Sequence, residues 1–259
     1  MNTATVIKHI VDWLTHYSET SHTKGFVVGV SGGVDSAVTS TLCALTRKNV
    51  IVVNMPILQP PSQYQRSNEH IEWLKVKFKN ITSFNVDLTS SFEQISVDLS
   101  NNIQDHLTMA NVRARLRMTT LYAYAGHYGY LVAGTGNKVE DFGVGFYTKY
   151  GDGGVDISPI ADLTKTDVFN MASKLGVITK ILEAKPTDGL WDDGRTDEDQ
   201  IGATYKELEW AMKQKDNNKT SRDFQNRQRE VFDILLKFNN QNSHKMNPIP
   251  IFKVPKDLK

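Results

Sequence analysis

Ser31-Gly32-Gly33-Val34-Asp35-Ser36 lies between Phe26-Val27-Val28-Gly29-Val30 and Ala37-Val38-Thr39-Ser40-Thr41-Leu42-Cys43-Ala44-Leu45. The first flank is short, apolar and β-branched, the pattern of a buried parallel strand. In the second flank Val38, Leu42 and Leu45 recur at helical spacing. The six residues between are therefore a tight turn from a strand into a helix N-terminus. Backbone N–H groups in a first helical turn have no helical acceptor, and the helix dipole adds partial positive charge there. Two glycines permit close backbone approach, and Ser31 and Ser36 add hydroxyl donors. Such a turn suits phosphate or pyrophosphate. A carboxylate beside phosphates is repulsive unless a cation lies between them, so Asp35 reads as a Mg²⁺ ligand. The alternative is a plain glycine-rich turn with a serine N-cap, which the strand–loop–helix setting disfavours. No Lys-Ser or Lys-Thr follows the glycines, which excludes a Walker A loop.

A chain of 259 residues with net charge +1 is long enough to bury a sizeable core as one α/β domain, expected over residues 1–259. Near-neutral charge argues against a nucleic-acid binder. Cys43 is the only cysteine, so no intrachain disulfide forms, and a cytoplasmic setting is the simplest expectation. Within its helix Cys43 reads as a small buried hydrophobe rather than a nucleophile. No signal peptide is evident and no apolar run approaches membrane-spanning length, so no membrane partner is expected.

Working outward, Ile7, Ile10, Val11 and Leu14 mark an amphipathic helix over about 4–18. Val50 to Met55 reads as a second buried strand, 58–63 as a loop, Ile71, Leu74 and Phe78 as a helix, and Ile81 to Val86 as a third strand. Two helices fill about 88–127, and Tyr130 to Ala133 forms a fourth strand. This alternation predicts a Rossmann-like parallel sheet with helices on both faces. Ligands of such sheets bind beyond the C-terminal strand ends, where the 31–36 loop and Gly134-Thr135-Gly136 would meet. Thr164 and Asp167 resemble a capping box opening a helix that Gly176 ends. The acidic stretch 186–200 reads as a solvated loop or a closing lid, with helices following over 201–214 and 221–239.

Gly134-Thr135-Gly136-Asn137-Lys138-Val139-Glu140 lacks the third glycine of a dinucleotide fingerprint. Glu140 reads either as a second carboxylate for the cation of Asp35 or as a surface charge. Lys149 to Asp156, with its glycine-flanked carboxylates, suits a polar ligand or a hairpin turn. Lys165 reads either as a point charge for the β and γ phosphates or as an ordinary helix residue, and Thr187 either as a hydroxyl donor to them or as an ordinary loop residue.

The 31–36 loop resembles the pyrophosphate loop of the ATP pyrophosphatase superfamily. Together with Asn111 to Arg115, Gly134 to Glu140, Phe146 to Gly154, Leu163-Thr164-Lys165, Lys185 to Leu190 and His244-Lys245, it resembles ammonia-dependent NAD synthetase. That resemblance implies an adenine nucleotide alpha-hydrolase-like fold. It implies that Gly29, Val30, Ser31, Gly32, Gly33, Val34, Asp35 and Ser36 hold ATP, with Thr135, Lys165 and Thr187 completing the contacts. Asp35, Lys165 and Thr187 would serve catalysis, and Asp35 and Glu140 would bind Mg²⁺. Arg115, Lys149, Asp156, His244 and Lys245 would contact deamido-NAD, with Asp152 beside them. A homodimer sharing the dinucleotide site is implied too. Two departures stand out. Asn54-Met55-Pro56 occupies the strand end where relatives often carry an arginine near adenine, and the segment 140–146 is one residue longer than in some relatives.

The expected reaction makes an acyl adenylate from ATP and a carboxylate, releasing pyrophosphate, before ammonia displaces AMP. Positioning and charge neutralisation are the protein's main tasks. A glutamine-using relative needs an amidase domain with its own cysteine, for which this chain has no room, so free ammonia is the expected nitrogen source. Another superfamily ligase, or a nucleotide-binding module without catalysis, are the alternatives.

Overall fold

The computed structural model describes residues 1–59, 61–187 and 196–259. Four parallel strands, β1 (Gly25–Gly29), β2 (Asn49–Asn54), β3 (Ile81–Asn85) and β4 (Leu131–Val132), lie in the order β3-β2-β1-β4. Val27 pairs with Ile51 on one side and Val132 on the other. The chain runs outward from β1 to β3 and then crosses back to β4, so the order reverses between β1 and β4. That reversal opens a crevice at the C-terminal strand ends, into which the loops after β1 and β4 both project.

Successive side chains of a strand point to opposite faces, and the sheet is apolar on both. Phe26, Val28, Val50 and Val52 pack on one side with Leu14 of α1 (Thr3–Thr20), Val38 and Leu42 of α2 (Val34–Leu45) and Met171 of α6 (Lys165–Leu175). Cys43 belongs to this core and is fully buried; burial pushes its thiol up, the state of an inert cysteine. Val27, Ile51 and Val53 face the other side, against Phe92 of α4 (Thr89–Asp98) and Met118 and Leu121 of α5 (His106–Tyr128). On the first side α3 (Pro61–Lys77) adds Ile71 and Leu74. No described helix is long and apolar enough to cross a membrane.

Local signals explain the helix ends. Asp105 accepts from Thr108 N at the start of α5, and Thr164 and Asp167 form a reciprocal capping box that Gly176, in the left-handed region, closes. The structure corrects the reading of the second half. The segment expected as one helix over 201–214 ends one helix and begins another, α8 (Asp197–Ile201) and α9 (Tyr205–Asp216), because Gly202 adopts φ 85 and Thr204 caps afresh. A four-residue helix α7 (Thr179–Leu182) precedes them. The segment expected as a helix over 221–239 opens with a 3-10 turn, Ser221–Asp223, and α10 itself runs Asn226–Met246. Val139–Val144 forms a π-helical turn, the form in which a helix absorbs an extra residue, and this is the segment noted for its added length. With Leu208, Val231 and Phe232 of α9 and α10, Val139 and Val144 build a third apolar cluster that carries the crevice's far wall.

Candidate active site

Loop 30–33 is shaped by its serines. Val30 N donates to Val53 O at 2.9 Å, which aligns the loop with β2. Ser36 Oγ accepts from Ser31 N at 3.2 Å and donates to Gly33 O at 3.0 Å, and Ser31 Oγ accepts from Gly33 N at 3.2 Å. Gly32 sits at φ 84, and a Cβ there would lie 2.9 Å from Gln63 O. The loop thus needs glycine both for backbone angle and for the approach of α3. The first-turn N–H groups of α2 open onto the crevice, the arrangement that receives anions.

Below this loop three charges converge. Lys165 Nζ donates to Asp35 Oδ2 at 2.6 Å and to Glu140 Oε1 at 2.9 Å. Lys165 is 5% exposed and each carboxylate 17%. Asn137, fully buried, stands between the two acids: its Nδ2 donates to Asp35 Oδ1 at 3.1 Å and its Oδ1 accepts from Glu140 N at 3.2 Å. On the other side Tyr205 donates to Glu140 Oε1 at 2.6 Å, and its oxygen lies 3.2 Å from Asp197 Oδ2. Burial opposes charging of Lys165, yet Asp35 and Glu140 override it and hold the ammonium above its ordinary range. Burial also opposes ionisation of Glu140, but Lys165 and the Tyr205 hydroxyl bring it below the usual glutamate value. Burial, reinforced by Glu140 and opposed by Lys165, holds the Asp35 carboxyl above its usual range, so two acids share one ammonium at the mouth of a phosphate-type loop.

Asp141 projects under Gly136, where a Cβ would clash with its carboxylate at 2.2 Å. Burial, with Glu140, Asp152 and Asp35 nearby, pushes Asp141 up to about 8. Among the described residues there is no group of three or more His, Cys, Asp or Glu side chains arranged for a metal ion. Two carboxylates beside a phosphate loop are nonetheless what Mg²⁺ takes from protein when phosphate oxygens and water supply the rest. The donor set fits, with the ammonium now lying where a cation between the acids would lie.

The crevice is about 790 Å³ and extends from the loop to the end of α10. It brings together Gly29–Ser36, Thr135, Glu140, Lys165 and Thr187 at one end and Arg115, Lys149, Asp152, His244 and Lys245 at the other. Lys149 Nζ donates to His244 O at 3.0 Å and Arg115 Nε to Lys149 O at 3.3 Å. Lys245 is spent on the carbonyls of Gly145 and of Tyr147, the latter at 2.7 Å, so it clips α10 to the wall. Asp156 does not join them. It is exposed outside the crevice, where Oδ1 accepts from Tyr122 Oη at 2.9 Å and Oδ2 from Val132 N at 2.8 Å. The residues expected to form a lid fall largely outside the described residues.

Sequence reasoning missed several lining groups. At the end of β2, where an arginine was absent, Arg117 from α5 donates to Met55 O at 3.0 Å beside Asn54. Burial, with Arg113 adjacent, lowers its guanidinium to about 10. Arg66 approaches Gly32 O from α3. Tyr205 and Asp197 also line the crevice or its acids. A capping box, Thr204 to Glu207, was the one local signal near Tyr205.

A family model described as NAD synthase matches residues 6–249. NH(3)-dependent NAD(+) synthetase of Carboxydothermus hydrogenoformans is 40% identical over 77% of this chain and 81% of that protein. The protein of the same description from Archaeoglobus fulgidus is 36% identical over 98% of each. Among solved structures, NMN synthetase from Francisella tularensis superposes with TM-score 0.85 at 30% identity, covering 99% of both chains. NH3-dependent NAD synthetase from Campylobacter jejuni shares the fold with TM-score 0.79 at 22% identity, over 98% of this chain and 100% of that one.

Proposed function

The chain belongs to the NAD synthase family, and from that premise we propose that it is an ammonia-dependent ligase converting the nicotinate carboxylate of deamido-NAD to the amide of NAD, with ATP cleaved to AMP and pyrophosphate. The observation that carries this reading in the structure is the meeting of Asp35, Glu140 and Lys165 directly under the 30–33 loop.

A carboxylate resists ammonia because its oxygen leaves poorly. Attack of that oxygen on the α-phosphorus of ATP forms the acyl adenylate and expels pyrophosphate. Ammonia then adds to the carbonyl and AMP departs. The loop N–H groups and Ser31 would hold the β and γ phosphates. Lys165, already deprived of solvent, would receive the charge that grows on the departing pyrophosphate; such aimed charges are worth about 10²–10³ in rate. Thr135 and Thr187 would add hydroxyl contacts. Asp35 and Glu140 would hold Mg²⁺, which supplies charge neutralisation for the phosphates. Arg115, Lys149 and His244 line the end of the crevice suited to an anionic dinucleotide. Asp156, bonded to Tyr122 and Val132 N outside the crevice, is left out of this assignment, and the protein would act as a homodimer. No enzyme nucleophile is needed, and buried Cys43 offers none.

A second reading concerns only the acceptor. The likeness to an NMN synthetase over the whole chain favours nicotinate mononucleotide, which lacks the adenylate half. One experiment decides: ATP, Mg²⁺ and ammonium with either acceptor, reading NAD or NMN together with AMP. We expect AMP and NAD in equal amounts with deamido-NAD. Higher kcat/KM with the mononucleotide would move the assignment to it, and no acceptor-dependent AMP with either would refute both.

A further inference from the structure

We propose that Tyr205 is the positioning residue of the cation site, its hydroxyl orienting the Glu140 carboxylate while its ring face supports Lys165. The inference rests on reading Asp35 and Glu140 as the protein ligands of Mg²⁺.

Tyr205 is well fixed for such a task. It stands at the first position of α9, capped by Thr204, and its backbone N donates to Glu198 Oε1 of α8 at 2.8 Å. The residue is 5% exposed and packs in the third apolar cluster. From that anchor it touches both members of the charged group on its side. The hydroxyl donates to Glu140 Oε1 at 2.6 Å, and the ring centroid lies 4.8 Å from Lys165 Nζ, within the range of a cation–π contact.

The geometry gives the two parts different duties. A cation placed between Asp35 and Glu140 must displace Lys165 from at least one of them. Glu140 then keeps the Tyr205 hydroxyl, a donor that does not depend on Lys165. Meanwhile the ammonium keeps an aromatic face beside it as it turns towards phosphate. Groups that orient a metal ligand typically change metal affinity or activity by about 10–100-fold when removed.

The test uses Mn²⁺ as the probe, with an ATP analogue that cannot be cleaved between the α and β phosphates. Mn²⁺ binding to the intact protein is read by electron paramagnetic resonance, and Asp35→Asn supplies the baseline. Tyr205→Phe, which keeps the ring, should weaken Mn²⁺ binding by about tenfold or more. It should also raise the Mg²⁺ concentration for half-maximal rate while kcat at saturating Mg²⁺ and KM for the acceptor stay near wild type. Tyr205→Leu should lower kcat at saturating Mg²⁺ as well. Wild-type Mn²⁺ affinity in Tyr205→Phe would overturn the proposal and leave the ligand assignment standing. Loss of the fold in Tyr205→Phe would overturn it too, by making the hydroxyl a structural strut. Wild-type protein binding no more Mn²⁺ than Asp35→Asn would instead refute the metal reading on which both rest.

Discussion

Replacing Lys165 with methionine keeps the side chain's bulk and removes its charge. Asp35 and Glu140 would then face each other with no cation between them, each only 17% exposed. Removing one partner from a buried ion pair costs about 3–5 kcal/mol, because the remaining charge stays uncompensated. Here Asn137 and Tyr205 still donate to the two acids, and both acids keep some solvent, which puts the loss near the lower end, about 3 kcal/mol. In a chain of this size each kcal/mol moves the melting midpoint by about 2–4 °C, so the variant should melt about 6–12 °C below wild type in EDTA. Adding Mg²⁺ with an uncleavable ATP analogue returns a cation to the gap and should recover most of that difference. Turnover should not recover, because the charge aimed at the departing pyrophosphate is gone; kcat should fall by about 10²–10³. Calorimetry in EDTA and in Mg²⁺ with the analogue, beside a steady-state assay, checks both parts. A variant that melts within about 2 °C of wild type in EDTA, or that loses equally in both buffers, would refute the charge-cluster argument.

Other outcomes follow from single residues. His70 is fully buried, its Nε2 bonded to Ser40 Oγ at 3.0 Å and its Nδ1 without a partner; burial lowers it to about 4. Between pH 6.5 and 4 the unfolded chain binds a proton that the folded chain refuses. Stability is therefore full above pH 6.5 and declines as pH falls, by up to about 3 kcal/mol from this group. His70→Phe should flatten that part of a chemical-denaturation pH series, and an unchanged slope would exclude His70 as its source. Gly32→Ala places a Cβ at φ 84 and 2.9 Å from Gln63 O. The angle alone costs about 1–2 kcal/mol, and the displaced loop should raise KM for ATP more than KM for the acceptor. Asp35→Asn leaves the Lys165–Glu140 contact intact, so it should cost little in melting temperature and more than about tenfold in turnover; near-normal activity would remove Asp35 from the metal site.

What the sequence determined by itself lay within short windows. A β-branched run, two glycines, serines at both ends of the loop and a helical repeat after it specify strand, turn and helix, because backbone hydrogen bonding and side-chain periodicity are local. The same windows repeated along the chain made the parallel sheet legible, and Thr164 with Asp167 announced the start of α6. Residue chemistry offered Glu140 and Lys165 as candidates beside ordinary structural readings, and the family resemblance then favoured the functional ones. What their charges do to one another was decided only in three dimensions. Lys165 meets Asp35 across a sequence separation of 130, and Tyr205 meets Glu140 across 65; no periodicity spans such distances. Gly202 and Thr204, read as parts of one helix, instead divide two and so aim Tyr205 at the acids. Arg117 arrives at the end of β2 from α5, supplying from another element a cation that the strand itself lacks. The family resemblance assigned Asp156 to the dinucleotide, but Tyr122 and the β4 backbone claim it outside the crevice. Packing decides these placements: the third apolar cluster sets where α9, and with it Tyr205, stands, while the second holds α5 and β4 and so fixes Arg117 and Asp156.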